Sequence, residues 1–428
     1  MSSPITLKNP SLFHNLAFSH GKWIEARSKA RFDFDDPGTG KVFTTCPDLA
    51  AEDVDPIHHL IRDNRDDIAT ILTHETGKPL NEAYGEIDYA TGFTWWFAAE
   101  AERIRGEVST PAAPNRRMMV IKQPIGVCVA LVPWNFPIAM ILRKVGAALT
   151  AGCTMIAKPS PETPLTILSP PPPQCLQCNH YLEHKHTRSL RDPVIIARHC
   201  GEGIKKVTLE LGGNCPFIIF DDANQERALE QLTALKIYEE FLVKLVEHAK
   251  TIKVGHGLEK STTMGPLTTS RGVDKARHQI EDAVQHGAKI AHGGKPLSGA
   301  AFGNGYYFEP TILRDMDASM QVTQEESFAP IAAVYRFKTE DEVVQQANDT
   351  DMGLASYVFT TDVNRSWRML EKLEAGMTGL NTGNSSAAES PFGGMKMSGY
   401  GKESGKDVAV AEYLASKTCT MTVEGALP

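Results

Sequence analysis

The stretch Val127-Cys128-Val129-Ala130-Leu131-Val132-Pro133-Trp134-Asn135-Phe136-Pro137 decides the fold. Its first six residues form a short apolar run between Gly126 and Pro133, the pattern of a buried strand. Pro137 then opens a helical stretch over residues 137–150, since proline's fixed φ suits the first helical position. Residues 153–157, Cys-Thr-Met-Ile-Ala, give a second strand, closed by Lys158-Pro159. Strand, helix and strand at this spacing imply a parallel pair joined by a right-handed crossover. Asn135 falls where the first strand ends, and strand carboxyl ends are where open α/β sheets bind ligands. Alone, such an Asn reads equally well as a turn residue.

Upstream, from Ala50 to about Arg105, the pattern is helical. Ile57, Leu60 and Ile61, then Ile68, Ile71 and Leu72, recur at helix spacing. Residues 81–105 repeat it and carry Trp95, Trp96 and Phe97, which read as core side chains. Downstream, Val207–Leu211, Phe217–Phe220, Ala332–Phe337 and Ala355–Phe359 read as strands, and residues 274–287 and 339–348 as helices. The fold class is α/β.

Composition narrows the function. The chain has 428 residues and a net charge of −8, which argues against nucleic-acid binding. No run of about 18 apolar residues occurs, so no membrane span is expected. The first twenty residues resemble neither a signal nor a transit peptide. Eight sparse cysteines suggest a reducing compartment rather than a disulfide framework. The expectation is a cytoplasmic protein of two or three domains.

Four further segments lie in order along the chain. They are Lys158-Pro159-Ser160-Pro161-Glu162-Thr163-Pro164, Leu209-Glu210-Leu211-Gly212-Gly213, Glu325-Glu326-Ser327-Phe328-Ala329-Pro330 and Pro391-Phe392-Gly393-Gly394-Met395-Lys396. Together with the Pro133–Pro137 turn they closely resemble the NAD(P)-dependent aldehyde dehydrogenase superfamily. The text from Lys122 to Gly146 is most similar to succinate-semialdehyde dehydrogenases. The resemblance covers about residues 18–168 and 194–420. It implies a Rossmann-type parallel nucleotide-binding sheet over residues 1–105 and 125–212, and an α/β catalytic domain over 213–412. A small oligomerisation β-element, residues 106–124 and 413–428, is implied as well. Its strands, Met118–Lys122 and Lys417–Val423, suggest a homo-oligomer, a dimer or tetramer.

In that superfamily a cysteine thiolate attacks the aldehyde, hydride passes to the nicotinamide, and water hydrolyses the thioester. The resemblance makes Asn135 the amide that donates to the oxyanion, a role worth about 2.7–4 kcal/mol in the transition state. It makes Glu210 the general base. Lys158 and Glu326 match positions that hold the cofactor riboses, and Trp134, Leu211 and Phe328 line the same cleft. Pro161 takes the place of a residue that helps choose between NAD and NADP, so either cofactor is expected. Arg143 and Ser386 match the residues that bind the substrate's carboxylate, for which a guanidinium offers paired donors.

Two breaks interrupt the resemblance. Residues 169–193, Ser-Pro-Pro-Pro-Pro-Gln-Cys-Leu-Gln-Cys and onward, replace a helix–strand–helix–strand series and the turn that supports the cofactor pyrophosphate at a helix N-terminus. The nucleotide-binding sheet is therefore expected to be truncated. At Lys236-Ile237 the segment resembling Phe-Arg-Asn-x-Gly-Gln-x-Cys is missing, and no Gly-Gln-x-Cys occurs anywhere in the chain. The nucleophile and a second carboxylate-binding arginine are lost with it, while the helical pattern over 225–250 runs on unbroken. Cys215 matches a family position that is not catalytic. Cys175 and Cys178, with His180, His184 and His186, have zinc-like spacing, but no regular framework surrounds them and no metal site is expected. Abrupt breaks between matching flanks suit a splicing change in a succinate-semialdehyde-type enzyme. The alternative is a non-catalytic relative that serves as an oligomer partner.

Overall fold

The computed structural model describes residues 61–168 except Pro114, 191–223, and 238–424 except Lys406 and Asp407, with scattered residues and short strands between 7 and 47. The early strands are β1 (Ala17–Ser19), β2 (Lys22–Ile24), β3 (Arg31–Asp36) and β4 (Lys41–Pro47), paired as two antiparallel hairpins. Two helices follow, α1 (Arg65–Thr76) and α2 (Leu80–Glu100). Gly77 ends α1 in the left-handed conformation, φ 82°, and its N–H caps Thr73 O.

Strands β5 (Glu107–Ser109) and β6 (Arg116–Pro124) lead into β7 (Val127–Leu131). Helix α3 runs from Pro137 to Thr150 and β8 from Thr154 to Lys158. The expected βαβ unit is therefore present, with β7 and β8 parallel in register Val127↔Thr154 to Leu131↔Lys158. The largest core lies on one face of this pair. Cys128 and Ala130 of β7 and Met155 of β8 pack with Phe93 and Phe97 of α2 and Ile138 and Ile141 of α3. Gly146 lets α2 and α3 close, since a Cβ there would sit 2.8 Å from the Phe97 ring.

The opposite face of β7 is bare. Val127 and Val129 are each 60% exposed and Leu131 41%. Parallel sheets ordinarily carry helices on both faces. Among the described residues this sheet has two strands. Helix α4 (Pro164–Leu168) precedes the first break and α5 (Arg191–Glu202) follows it. Residues 194–202 of α5 include no buried side chain.

The remainder builds on β9 (Leu209–Glu210), β10 (Phe217–Ile219) and α6 (Tyr238–Thr251). Helix α7 (Ser270–Gln285) begins four residues earlier than its apolar spacing suggests, because Thr269 caps it by accepting from Gly272 N. Strands β11 (Lys289–His292), β12 (Thr311–Arg314) and β13 (Ile331–Ala333) form one sheet. Beyond short helices α8 (Gln321–Gln324) and α9 (Glu340–Asn348) come β14 (Met352–Gly353) and β15 (Ala355–Phe359). Helix α10 (Val363–Lys372) and β16 (Met377–Leu380) complete a parallel sheet in the order β10-β15-β16. The chain ends with β17 (Met395–Lys396), β18 (Gly399–Tyr400), α11 (Val408–Glu412) and β19 (Leu414–Thr422).

Two pairings bring distant sequence to the site. β19 runs antiparallel to β6 along its whole length, from Leu414↔Pro124 to Thr422↔Arg116. β18 pairs with β9, placing Gly399 opposite Glu210. Only glycine fits there: φ is 117° and a Cβ would lie 1.8 Å from Leu209 O.

Several expectations are corrected. Trp95 is not a core residue; it is 72% exposed, while Phe97 two positions on is buried. Trp95 falls on the outer face of α2, and only its neighbours point inward. The expected strands Val207–Leu211 and Ala332–Phe337 shorten to Leu209–Glu210 and Ile331–Ala333. Ile57, Leu60, residues 225–237 and the Cys175–His186 cluster lie outside the described residues. Among the described residues no helix is long and apolar enough to cross a membrane, and no side-chain cluster could hold a metal ion.

Candidate active site

The Pro133–Pro137 turn is held from below. Glu86 of α2 is buried, and its Oε1 accepts from Ile138 N at 3.0 Å and Ala139 N at 3.3 Å. These are the free N–H groups of the first turn of α3, where a carboxylate is favoured. Lys78 Nζ lies 2.6 Å from Glu86 Oε2 and donates to Asn135 O at 3.0 Å. The same ammonium sits 4.3 Å from the Phe136 ring centroid. Burial pushes the Glu86 carboxyl above its ordinary range, and Lys78 with the two N–H groups pulls against that shift. The Asn135 side-chain oxygen is itself buried without a partner.

Arg143, one turn further along α3, is wholly buried. Its Nη2 donates to Glu210 Oε2 at 2.6 Å, and its Nε lies 3.2 Å from Glu403 Oε2. Nη1 has no acceptor. The Phe392 ring covers the guanidinium at 4.0 Å. Lys144 Nζ bridges the same two carboxylates, at 3.2 Å from Glu210 and 2.6 Å from Glu403. Two cations and two carboxylates therefore form one closed cluster. Burial opposes the Glu210 charge, but Arg143 and Lys144 hold its carboxyl well below the usual range. Glu403 moves the other way, pushed up to about 7 by burial and by Glu210 beside it. A carboxylate pinned this firmly is a weak base until its cation is engaged elsewhere.

Ser386 is hydrogen-bonded through its hydroxyl to Tyr89 of α2, and Tyr89 lies near enough to Arg143 to act on its charge. The two residues expected to bind a substrate carboxylate thus share one neighbourhood. The residues expected to face the cofactor assemble separately. Glu326 Oε1 accepts from Gly213 N at 3.3 Å, and Gly212 leaves room for the other oxygen, which would lie 2.3 Å from a Cβ there. Leu211 N donates to Ser398 O at 3.1 Å. Trp134 and Phe328 meet at 5.1 Å between ring centroids, with Phe328 at φ 49°. Lys158 and Pro161 lie exposed at the end of β8, and Lys158 O accepts from Val132 N. Cys215 is exposed, and partial desolvation with Glu326 nearby raises its thiol above the ordinary value, the opposite of an activated nucleophile.

Sequence reading missed Lys78, Glu86, Lys144, Glu403 and Tyr89. A charged residue inside an apolar helical run was the one available signal for Glu86 and Lys144.

A strand-end asparagine, a buried carboxylate–cation cluster and an aromatic pair are set in an α/β framework. The model of the aldehyde dehydrogenase family matches residues 51–169, 193–236 and 232–419, and the chain belongs to that family. The match is interrupted at 170–192 and restarts at 232, the two places where the motif series breaks. A glutarate-semialdehyde dehydrogenase of Pseudomonas putida is 39% identical, over 97% of this chain and 100% of its own. That comparison spans 496 positions, more than the 428 residues here, so the relative contains stretches with no counterpart in this chain. The NADP(+) succinate-semialdehyde dehydrogenase 1 of Schizosaccharomyces pombe is 37% identical, over 94% of each chain. The crystal structure of succinate-semialdehyde dehydrogenase from Burkholderia pseudomallei superposes with a TM-score of 0.89 at 36% identity, covering 98% of this chain and 100% of that one.

Proposed function

We propose that this chain is the framework of an NAD- or NADP-linked dehydrogenase for aldehydes bearing a distal carboxylate, succinic semialdehyde being the expected substrate. This chain binds such a ligand without oxidising it. The observation that carries this reading is the buried Arg143, set beside Glu210 and near Ser386, in a chain with no Gly-Gln-x-Cys segment. Relatives named for succinate and glutarate semialdehydes support the substrate class. Lys158, Leu211, Glu326, Phe328 and Trp134 would hold the cofactor, which accepts the hydride. Asn135 would orient the aldehyde oxygen, and Glu210 would take the proton of the hydrolytic water. Without a thiolate no covalent intermediate forms, and a carboxylate base has nothing to hydrolyse. The bare face of β7 and the interrupted family match support the loss of chain at both breaks.

The division into a nucleotide-binding domain (1–105, 125–212), a catalytic domain (213–412) and a pair of oligomerisation strands belongs to the same proposal. The β6–β19 pairing supports its last part. A cytoplasmic homo-oligomer is the expected setting, and a non-catalytic oligomer partner is the second reading, favoured by the intact β5-β6-β19 sheet.

The test is repair. The corresponding segments of a succinate-semialdehyde relative are grafted in place of residues 169–193 and between Lys236 and Ile237. The repaired chain is expected to reduce NAD+ or NADP+ with succinic semialdehyde. A well-folded repaired chain inert toward every carboxylated aldehyde would overturn the substrate reading.

A further inference from the structure

Arg143 raises a problem of occupancy. Its guanidinium is wholly removed from solvent, and the Nη2 that would grip a ligand's carboxylate is taken by Glu210 at 2.6 Å. Yet Nη1 is buried with no acceptor. A buried donor without a partner is costly, and a carboxylate placed across Nη1 and Nη2 would satisfy both. The cluster of Arg143, Lys144, Glu210 and Glu403 is electrically balanced, so a fifth charge entering it finds no spare cation.

The ways out are unequal. Phe392 closes one side of the guanidinium at 4.0 Å. The Glu403 side chain is 7% exposed and held by Lys144 at 2.6 Å. The Glu210 side chain is 14% exposed, sits at the end of β9 beside Gly212 and Gly213, and is 3.2 Å from Lys144. Each carboxylate has one contact of 2.6 Å and a second of 3.2 Å, but Glu210 is the more exposed of the two and the one that occupies Nη2.

We propose that Glu210 occupies the carboxylate subsite on Arg143, and that a carboxylate-bearing aldehyde must displace it to bind. This rests on the proposed substrate class and deepens it. The exchange does two things. It frees Glu210 to turn into the cleft only when a ligand is seated. It also makes the site selective, because an uncharged aldehyde has nothing with which to separate the ion pair. The charged groups facing Glu210 are Arg143 and Lys144 from α3 and Glu403 from the segment after β18, with Tyr89 of α2 and Tyr413 at the border. A ligand carboxylate adds one negative charge to this set. Binding therefore draws a proton onto the Glu210–Glu403 pair, and affinity falls as pH rises.

The experiment is calorimetric titration of the full chain with succinic semialdehyde, with butanal as the uncharged control. It is run at about pH 7 in two buffers of different ionisation enthalpy, on the parent chain and on Glu210→Gln, Glu403→Gln and Arg143→Gln. Circular dichroism checks that each variant is folded. The parent chain is expected to take up a substantial fraction of a proton per ligand and to ignore butanal. Glu210→Gln should bind roughly tenfold more tightly or better, within the range of coupling seen for close charge pairs, with the proton uptake gone. Glu403→Gln changes the net charge equally but leaves Glu210 in place, so its gain should be clearly smaller. Equal tightening in the two variants, or none in either, overturns the displacement while leaving carboxylate binding intact. Unchanged binding by Arg143→Gln, or no binding by any form, overturns the carboxylate subsite itself, and the displacement with it.

Discussion

Replacing Glu86 with alanine tests how the Pro133–Pro137 turn is held. Glu86 contributes two hydrogen bonds to the first turn of α3 and the ion pair to Lys78, whose side chain is largely buried. Hydrogen bonds to a charged acceptor are worth about 1.5–3 kcal/mol each. Removing one partner of a buried pair costs roughly 3–5 kcal/mol, because the other charge is left uncompensated. Losing Glu86 also removes its own burial cost, which the raised carboxyl range reflects. The expected loss is therefore about 3–5 kcal/mol rather than the sum of the contacts. Glu86→Gln keeps an acceptor for Ile138 N and Ala139 N but turns an amide toward Lys78, and should lose about half as much. Lys78→Met should cost less than Glu86→Ala, since Glu86 keeps its backbone donors and can take a proton. Urea unfolding followed by tryptophan fluorescence gives the stability. Hydrogen exchange of the peptide spanning 132–142 should quicken in Glu86→Ala before global unfolding. A loss below about 1 kcal/mol, with exchange unchanged in that peptide, would refute the claim that Glu86 anchors the turn.

Three other outcomes are expected. Glu75 is buried, accepts from Leu165 N and Thr166 N at the start of α4, and burial pushes its carboxyl up to about 8. A group raised in this way contributes stability fully present below its unfolded value of about 4.5 and lost as pH rises through 8. Glu75→Gln should thus flatten the pH dependence and be the more stable form at pH 9, whereas parallel unfolding curves for the two proteins would contradict this. The triple change Val127→Thr, Val129→Thr and Leu131→Thr should reduce binding of an apolar fluorescent dye at a cost under about 1 kcal/mol, because these side chains are exposed; unaltered dye binding would mean the face is covered. Transcript sequencing across codons 168–195 and 236–237 separates the two readings of the breaks. A message that encodes the chain unchanged favours the non-catalytic relative.

The βαβ unit was legible because its signals are local. Apolar residues run together in β7, Pro137 marks the helix start, and α3 occupies the 137–150 span that these signals predict. The five motifs were legible for the same reason. What escaped is mostly long-range. Nothing in the local sequence says which partners Glu86 meets, the amides of residues 52 and 53 positions away. Arg143 and Glu210 were each singled out, but with different roles. Their ion pair spans 67 residues of sequence and appears only once β18 brings the Glu403 segment alongside β9. The same pairing explains why β9 is shorter than its apolar run, since β18 offers only Gly399 and Tyr400 as partners. Trp95 failed differently. Hydrophobicity suggested burial, but its angular position on α2 left it outside the stripe that faces α3.

The most direct measurement is turnover by the chain as it stands. Full-length protein of authenticated mass is incubated with succinic semialdehyde and NAD+ or NADP+, and reduced nicotinamide is followed by absorbance. No reduction above the protein-free blank is expected, even at ligand concentrations that saturate Arg143. Aldehyde-dependent formation of NADH or NADPH, together with an acyl group captured on a cysteine by mass spectrometry, would show that the missing thiolate has been replaced.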